Sequence, residues 1–126
     1  MRRLVIMSLA VLTLGCGSRS TDYWLQQLKD PDVVKRRQAI RELGSRTAEA
    51  EQVVPNLAEA LRDENEYVRH DSAIVLANFG ADAQPAVPAL IAALEDKDRN
   101  VRRAAEATLK RIAPETTGKG KGPRGR

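Results

Sequence analysis

Apolar and polar positions recur along most of the chain with a period of 33 residues. Three segments align at this period without a gap, and they begin at Asp22, Pro55 and Pro88. Each segment holds two stretches in which apolar residues return every three or four positions, which is typical of helices with one buried face. A short polar turn joins the two stretches, so each segment is predicted to fold as a helical hairpin. The apolar columns are Trp24, Leu57 and Leu90; Leu28, Leu61 and Leu94; and Leu43, Leu76 and Leu109.

Two polar columns follow the same period near the turn of each hairpin. They consist of Asp30, Asp63 and Asp96, and of Arg36, Arg69 and Arg102. An arginine of one repeat can reach an aspartate of its neighbour when repeats stack, so we interpret the columns as a structural ladder. The alternative is that the arginines bind an acidic partner, because a guanidinium group can hold a carboxylate through two hydrogen bonds.

Capping residues mark the helix boundaries. Asp30, which precedes a proline, is predicted to cap the second helix of the first repeat. Asp63 and Glu66 have the spacing of a capping box. Gly44 and Gly80 are predicted to end the second helices of the first two repeats.

The repeats are predicted to stack into an all-α solenoid of about three helical hairpins. One hairpin cannot bury its apolar face alone, and about three are needed for a stable array. Trp24 is interpreted as a cover over the open first end of the stack. The alternative is that Trp24 is a surface anchor for a partner.

These repeats resemble the HEAT repeat, in particular the short HEAT-like class that is also found in phycobilisome lyases. That class carries an aspartate turn, Val-Arg, an alanine-rich helix ending in Leu-Gly, and a Val-Pro-x-Leu helix. The segments "YVRHDSAIVLANFG" and "AVPALIAALED" match this order. The resemblance covers residues 22–113, and the first repeat departs from it at Lys35, which occupies the valine position.

The chain starts with a different pattern, "MRRLVIMSLAVLTLGCGS". Two arginines, a short apolar run and small residues are the layout of a signal peptide, predicted here over residues 1–15. "LTLGC" resembles the lipobox of bacterial lipoproteins, which implies that Cys16 carries a lipid and begins the mature chain. Residues 16–21 would then be a lipidated N-terminus with a short linker. The alternatives are an ordinary signal peptide with a stray cysteine and a short buried helix.

Net charge is concentrated outside the repeats. The formal charge of the whole chain is +4, but the repeat body is close to neutral. It therefore shows no basic stripe that would indicate a nucleic acid partner. Residues 114–126 are rich in glycine and basic residues, and they are predicted to form a disordered tail. This tail is expected to increase solubility, with weak contact to anionic lipid or polymer as the alternative.

No catalytic motif is evident from residue order. His70 is the one histidine in the sequence, and nothing around it completes a zinc site. Ser72, His70 and Asp71 do not form a triad, because neighbours at one and two positions on a helix do not face each other. We therefore expect no metal, no cofactor and no enzymatic activity.

The main functional prediction is a lipid-anchored, non-enzymatic protein-binding module or scaffold of the bacterial cell envelope. In a Gram-negative cell it would lie at the outer membrane or the periplasmic face. The HEAT resemblance implies that the Val-Pro-x-Leu helices, with the Trp24 helix as a cap, line the concave face that binds another protein. The candidate contact residues on that face are Gln26, Gln27, Asn56, Glu59, Arg62, Ala89 and Glu95.

Two alternatives from other classes stay open. The lyase resemblance suggests an enzyme accessory or lyase-type chaperone that handles a bound pigment or cofactor. The other alternative is a structural envelope protein whose basic tail binds anionic polymer or lipid.

Overall fold

The computed structural model describes residues 19–117, and every regular element in that range is helical. Two 3-10 segments, Thr47–Glu49 and Ala77–Ala86, precede α3 and α5. The predicted signal peptide, Cys16 and residues 118–126 lie outside this range. The α-helices in the described part are α1 (Thr21–Gln27), α2 (Val33–Leu43), α3 (Ala50–Ala60), α4 (Glu66–Leu76), α5 (Val87–Ala93), α6 (Arg99–Ile112) and α7 (Pro114–Thr117).

Helices α1 to α6 pair into three consecutive hairpins, which we call units 1, 2 and 3. Unit 1 holds α1 and α2, unit 2 holds α3 and α4, and unit 3 holds α5 and α6. The second helices form one layer, in which α4 packs against both α2 and α6. The first helices, with the 3-10 segment before α5, form the other layer. The predicted all-α solenoid of three helical hairpins is confirmed.

The core lies between the two layers and follows the apolar columns. Leu43, Leu76 and Leu109 have no exposed surface, and Leu57 and Leu90 are equally buried on the first helices. Burial of one such side chain contributes about 1.5–3 kcal/mol relative to an exposed position. The columns therefore hold the hairpins together along the whole stack.

Trp24 closes the first end of this core. Its side chain is 7% exposed and belongs to the core cluster, and its ring packs edge-to-face against Tyr23 with centroids 5.0 Å apart. Burial of this kind fits the interpretation of Trp24 as a cover. It leaves little indole surface for a partner to contact.

The second helices begin two residues later than the capping residues chosen from sequence. The observed N-caps are Asp32, Asn65 and Asp98, whose side chains accept hydrogen bonds from N–H groups of the first turn. The predicted caps Asp30 and Asp63 instead accept from the N–H two residues ahead, at 2.8 and 2.9 Å. Each turn thus uses two acidic or amide side chains, the first bonded to the N–H of the second and the second capping the helix. The prediction that Asp63 and Glu66 form a capping box is wrong, because Asn65 is the N-cap.

Gly44 and Gly80 have different structural roles. Gly44 ends α2 with φ of −62°, so no special backbone angle is required there. A Cβ at Gly44 would lie 2.8 Å from Cβ of Val75, so the glycine allows unit 2 to approach unit 1. Gly80 lies inside the second 3-10 segment with φ of +51°, which favours glycine.

The repeat body ends slightly later than the predicted boundary. Helix α7 packs against α6, and it is formed by the first four residues of the segment that was predicted to be a disordered tail. Pro114 at its start suits a first helical turn, where a missing N–H removes no intrahelical bond. The ordered body therefore extends to residue 117.

The segment Glu66–Ala93 is long and apolar enough to cross a membrane by length and composition alone. It comprises α4, a 3-10 segment and α5, and Gly80 interrupts it with a left-handed backbone angle. Val68, Leu76 and Leu90 from this segment lie in the core. These apolar residues therefore contribute to the packing between units.

Candidate functional site

The predicted ladder residues come together at both junctions between units. Arg36 Nε lies 3.0 Å from Asp63 Oδ2, and its Nη2 donates to Oδ1 at 3.1 Å. Arg69 holds Asp96 in the same way, at 2.9 and 3.1 Å. Each arginine also donates from Nη1 to two carbonyl oxygens of its own turn, at 2.8 and 3.1 Å. The arginines therefore link the turn of one unit to the carboxylate of the next.

Burial makes these ion pairs structural. The side chains of Arg69 and Asp96 are 6% and 11% exposed. Burial by itself raises the pKa of Asp96, but hydrogen bonds from Arg69 and from the N–H of Asp98, with the charge of Arg69, lower it below its usual value. The carboxylate is thus held in its charged form, as a paired buried group requires.

The predicted contact face is only partly brought together. Asn56, Glu59 and Arg62 line a shallow cleft of about 350 Å³ on the layer of first helices. Glu59 and Arg62 also border a neighbouring depression of about 300 Å³, which Ala89 lines as well. The remaining predicted contact residues, Gln26, Gln27 and Glu95, line neither of these two clefts.

The layer of second helices carries a cluster that sequence reasoning missed. Arg37 Nε donates to Asp71 Oδ2 at 2.8 Å across the junction of units 1 and 2, and this hydrogen bond raises the pKa of Arg37. Asp71 Oδ1 lies 3.5 Å from Nδ1 of His70. The guanidinium group of Arg37 also lies 5.3 Å from the centroid of the Tyr67 ring, within cation–π range. We call these four residues the second-helix cluster.

This cluster borders a small cleft at the junction of units 2 and 3. Tyr67, His70 and Glu66 line it from α4, and Asp98 and Asn100 line it from the start of α6; its volume is about 160 Å³. The cleft combines an imidazole, a phenol, carboxylates and an amide. Such groups can donate, accept and transfer protons to a bound molecule.

Exposed apolar side chains adjoin the same surface. Val34, Tyr67 and Ile74 are 68%, 56% and 48% exposed, and they lie on α2 and α4. Exposed apolar groups beside polar ones are typical of binding surfaces. In the sequence, this surface was indicated by Val34 and Tyr67, two apolar residues that are 33 positions apart.

Ser72 takes no part in a catalytic triad. Its side chain is fully buried, and its hydroxyl donates to the carbonyl of Val68 at 2.9 Å. Across residues 19–117, no three His, Cys, Asp or Glu side chains come together in a way that could hold a metal ion.

The protein-family model for HEAT repeats matches residues 21–110 of the sequence. That range covers most of the chain and all three hairpins, so the chain belongs to the HEAT-repeat family.

Among solved structures, the chain is similar to the complex of CpcE and CpcF of phycocyanin lyase from Nostoc sp. PCC7120. The two share 27% sequence identity with a TM-score of 0.71, over 89% of this chain. The match spans 44% of the length of that chain. Comparison with curated protein sequences gives no match.

The similarity to a lyase contradicts the prediction that the protein is not an enzyme. The prediction considered residues in linear order and on single helices. A HEAT layer instead assembles polar groups from different units, as the contact between Arg37 and Asp71 shows. A catalytic or substrate-holding surface can therefore form without a sequence motif.

Proposed function

We propose that the protein is a HEAT-repeat subunit of a lyase-type enzyme and handles a bound pigment or cofactor together with a protein partner. The observation that carries this proposal is the similarity to the phycocyanin lyase structure over 89% of the chain. The match spans 44% of that lyase chain, so we propose a part in a lyase reaction rather than the whole activity.

The second-helix cluster is the proposed contact surface for the pigment. Tyr67 offers an exposed aromatic face and a hydroxyl, and His70 offers a nitrogen that can take or give a proton. Arg37 and Asp71 fix the position of these two side chains through the ion pair and the cation–π contact. Val34 and Ile74 supply apolar area on both sides of the cluster.

A protein partner is part of the proposal because the similar structure is a complex of two subunits. The clefts around Glu59 and Arg62 on the first-helix layer offer a polar contact face on the other layer of the solenoid. A partner seated there would leave the second-helix cluster accessible to the pigment.

Phycocyanin is a direct probe for this function. We would incubate the full-length chain with phycocyanin, and separately with its pigment-free form plus released pigment, and follow the visible absorbance. Transfer or release of pigment would change the spectrum with time. Replacement of Tyr67 by Phe and of His70 by Gln is expected to slow the change by about tenfold or more.

Arg111→Gln is the matched control, because Arg111 is exposed near the end of α6 and does not line the cleft beside the cluster. It should behave like the wild type. Unchanged spectra with the wild-type chain, alone and with a co-purified partner, would contradict the lyase proposal. Equal loss of activity in the control and in the cluster variants would contradict the assignment of the surface.

We also propose that the protein is anchored to the bacterial cell envelope through a lipid on Cys16. The support is the order of residues 1–16, with two arginines, an apolar run and a small residue before the cysteine. More than one acyl chain is needed for stable anchoring, so full lipidation of the cysteine is expected.

Detergent partitioning and intact mass of the full-length chain would test the anchor. Wild-type protein from a bacterial host should enter the detergent phase with the added mass of lipid, and Cys16→Ala should not. Removal of residues 118–126 serves as the second variant. If the deletion abolishes membrane association and Cys16→Ala does not, the basic tail is responsible and the lipid proposal fails.

A further inference from the structure

The charge ladder is incomplete at both ends of the stack. Arg102 occupies the position of Arg36 and Arg69 in unit 3, and its Nη1 donates to the carbonyls of Asp96 and Lys97 at 2.7 and 3.1 Å. These bonds orient the guanidinium group as in the other two units. Within residues 19–117, however, no carboxylate lies at ion-pair distance from Arg102.

The first end lacks the complementary group. Asp30 occupies the position of Asp63 and Asp96, and it accepts from the N–H of Asp32 in the same way. No arginine of the described residues pairs with Asp30. The nearby cation is Lys35, whose Nζ is 3.5 Å from Asp30 Oδ2 and whose side chain is 56% exposed.

We propose that the two ends bind each other, so that the protein associates head to tail with a second copy of itself. If the 33-residue period continues across the contact, Arg102 meets Asp30 of the second copy, as Arg69 meets Asp96 within one chain. Gly44 of unit 1 lies against Val75 of unit 2. Lys110 has the position of Gly44 in unit 3, and Glu42 has the position of Val75 in unit 1. The same contact between two copies would therefore bring Lys110 next to Glu42 of the second copy. Both juxtapositions pair opposite charges.

The surroundings of Arg102 favour an acidic occupant. Arg99, Arg103 and Lys110 line the same broad depression, in which Glu106 is the one carboxylate among the described lining residues. Residues 118–126 contain four basic and no acidic residues, so their side chains supply no carboxylate to this end. Opposite charge at the two ends steers association and fixes its register.

The size of the similar lyase chain is consistent with this arrangement. This chain matches 44% of that chain, so two copies in series would have about its length. The proposal does not depend on the lyase function, because it rests on the geometry of the two ends.

Charge exchange between the ends gives a direct test. We would measure sedimentation of the full-length chain in a mild detergent over a range of concentrations, at low and at physiological salt. The wild type should associate, more strongly at low salt. Arg102→Glu and Asp30→Arg should each weaken association by about tenfold or more, because each places like charges together. An equal mixture of the two variants should associate again, because every contact then joins opposite charges.

Two further variants test whether a loss of association comes from unfolding or from the change in net charge instead of from the contact. Asp30→Asn keeps the side-chain acceptor of the turn and removes the charge, so it should weaken association while the helical content stays normal. Glu51→Arg changes the net charge as Asp30→Arg does, at an exposed position of α3 in the middle unit, and should associate like the wild type. A wild type that stays monomeric at both salt concentrations overturns the proposal. Association that survives both charge-reversing variants, or a mixture that fails to associate, also overturns it.

Discussion

Arg69 and Arg102 are equivalent residues that differ in one partner. Both donate to two carbonyls of their own turn, but Arg69 also holds the carboxylate of Asp96, while Arg102 has no such partner among the described residues. The carbonyl bonds shape the turn inside a unit, and the carboxylate bonds join one unit to the next. One side chain thus performs two separable tasks, and unit 3 shows the first task alone.

The same contrast extends to the neighbouring columns of the second helices. Ile40 and Ala73 have no exposed surface at the two inner junctions. The equivalent residue in unit 3 is Glu106, which is half exposed and pairs with Lys110 at 2.6 Å. Terminal units of repeat proteins need such a polar outer face to stay soluble. The inner junctions are therefore apolar with one buried ion pair each, whereas the outer end is charged.

A charged residue placed in an inner junction should have the largest effect on stability, whereas an apolar residue placed at the outer end should have none. Ala73→Glu would place an unpaired charge and extra volume in a junction that has no exposed surface, so we expect a loss of more than about 4 kcal/mol. That loss is a large part of the stability of about 5–15 kcal/mol that is typical of a small domain, so the urea midpoint should fall strongly. Glu106→Ala should leave the urea midpoint unchanged. Circular dichroism during urea titration measures both, and a normally stable Ala73→Glu would contradict the assignment of this junction.

Removal of the ladder arginines should separate the two tasks. Arg69→Ala leaves the buried carboxylate of Asp96 unpaired and should lower the free energy of unfolding by about 3–5 kcal/mol. Arg102→Ala removes only the carbonyl bonds and should cost about 1 kcal/mol. Urea denaturation of the monomeric chain compares them. Equal effects of the two substitutions would mean that the inter-unit pair adds nothing.

Gly44→Ala should perturb the first junction and leave the second intact. The added Cβ would lie 2.8 Å from Cβ and 2.9 Å from Cγ1 of Val75, so we expect a loss of about 1–3 kcal/mol. Val75→Ala in the same chain should recover part of that loss by making room. Thermal unfolding of the single and double variants measures the coupling. If the effects are simply additive, the two residues do not limit the approach of the units.

Protonation of Asp96 at low pH should lower the stability by less than any of these substitutions. The pKa of Asp96 is lowered in the folded protein, so its contribution to stability is present above the ordinary carboxyl pKa of about 4. That contribution is lost as the pH falls from there through the lowered pKa. Denaturation across this window should show a shallower pH dependence for Asp96→Asn than for the wild type. A curve of the same slope would assign the acid sensitivity to other carboxylates.

Much of the fold could be predicted from the sequence because the period of 33 residues records which positions face the core. The columns of Leu43, Leu76 and Leu109 and the ladder pairs follow directly from it. The capping residues were misplaced because Asp30 and Asp32 are both suitable side chains, and only the turn geometry distinguishes them. The contact of Arg37 with Asp71 was missed because it depends on the rotation between neighbouring helices, which the period does not record.

The polar outer face of unit 3 also bears on how such an array can lengthen by gene duplication. A copy of unit 2 inserted between units 2 and 3 would meet apolar neighbours on both sides and would find both ladder partners. A unit appended after unit 3 would instead face the charged pair Glu106 and Lys110 and would need acidic partners of its own, such as those that unit 1 of a second copy offers in the proposed head-to-tail contact. An inserted copy of unit 2 therefore needs no further change, whereas an appended copy would first need apolar substitutions at Glu106 and Lys110.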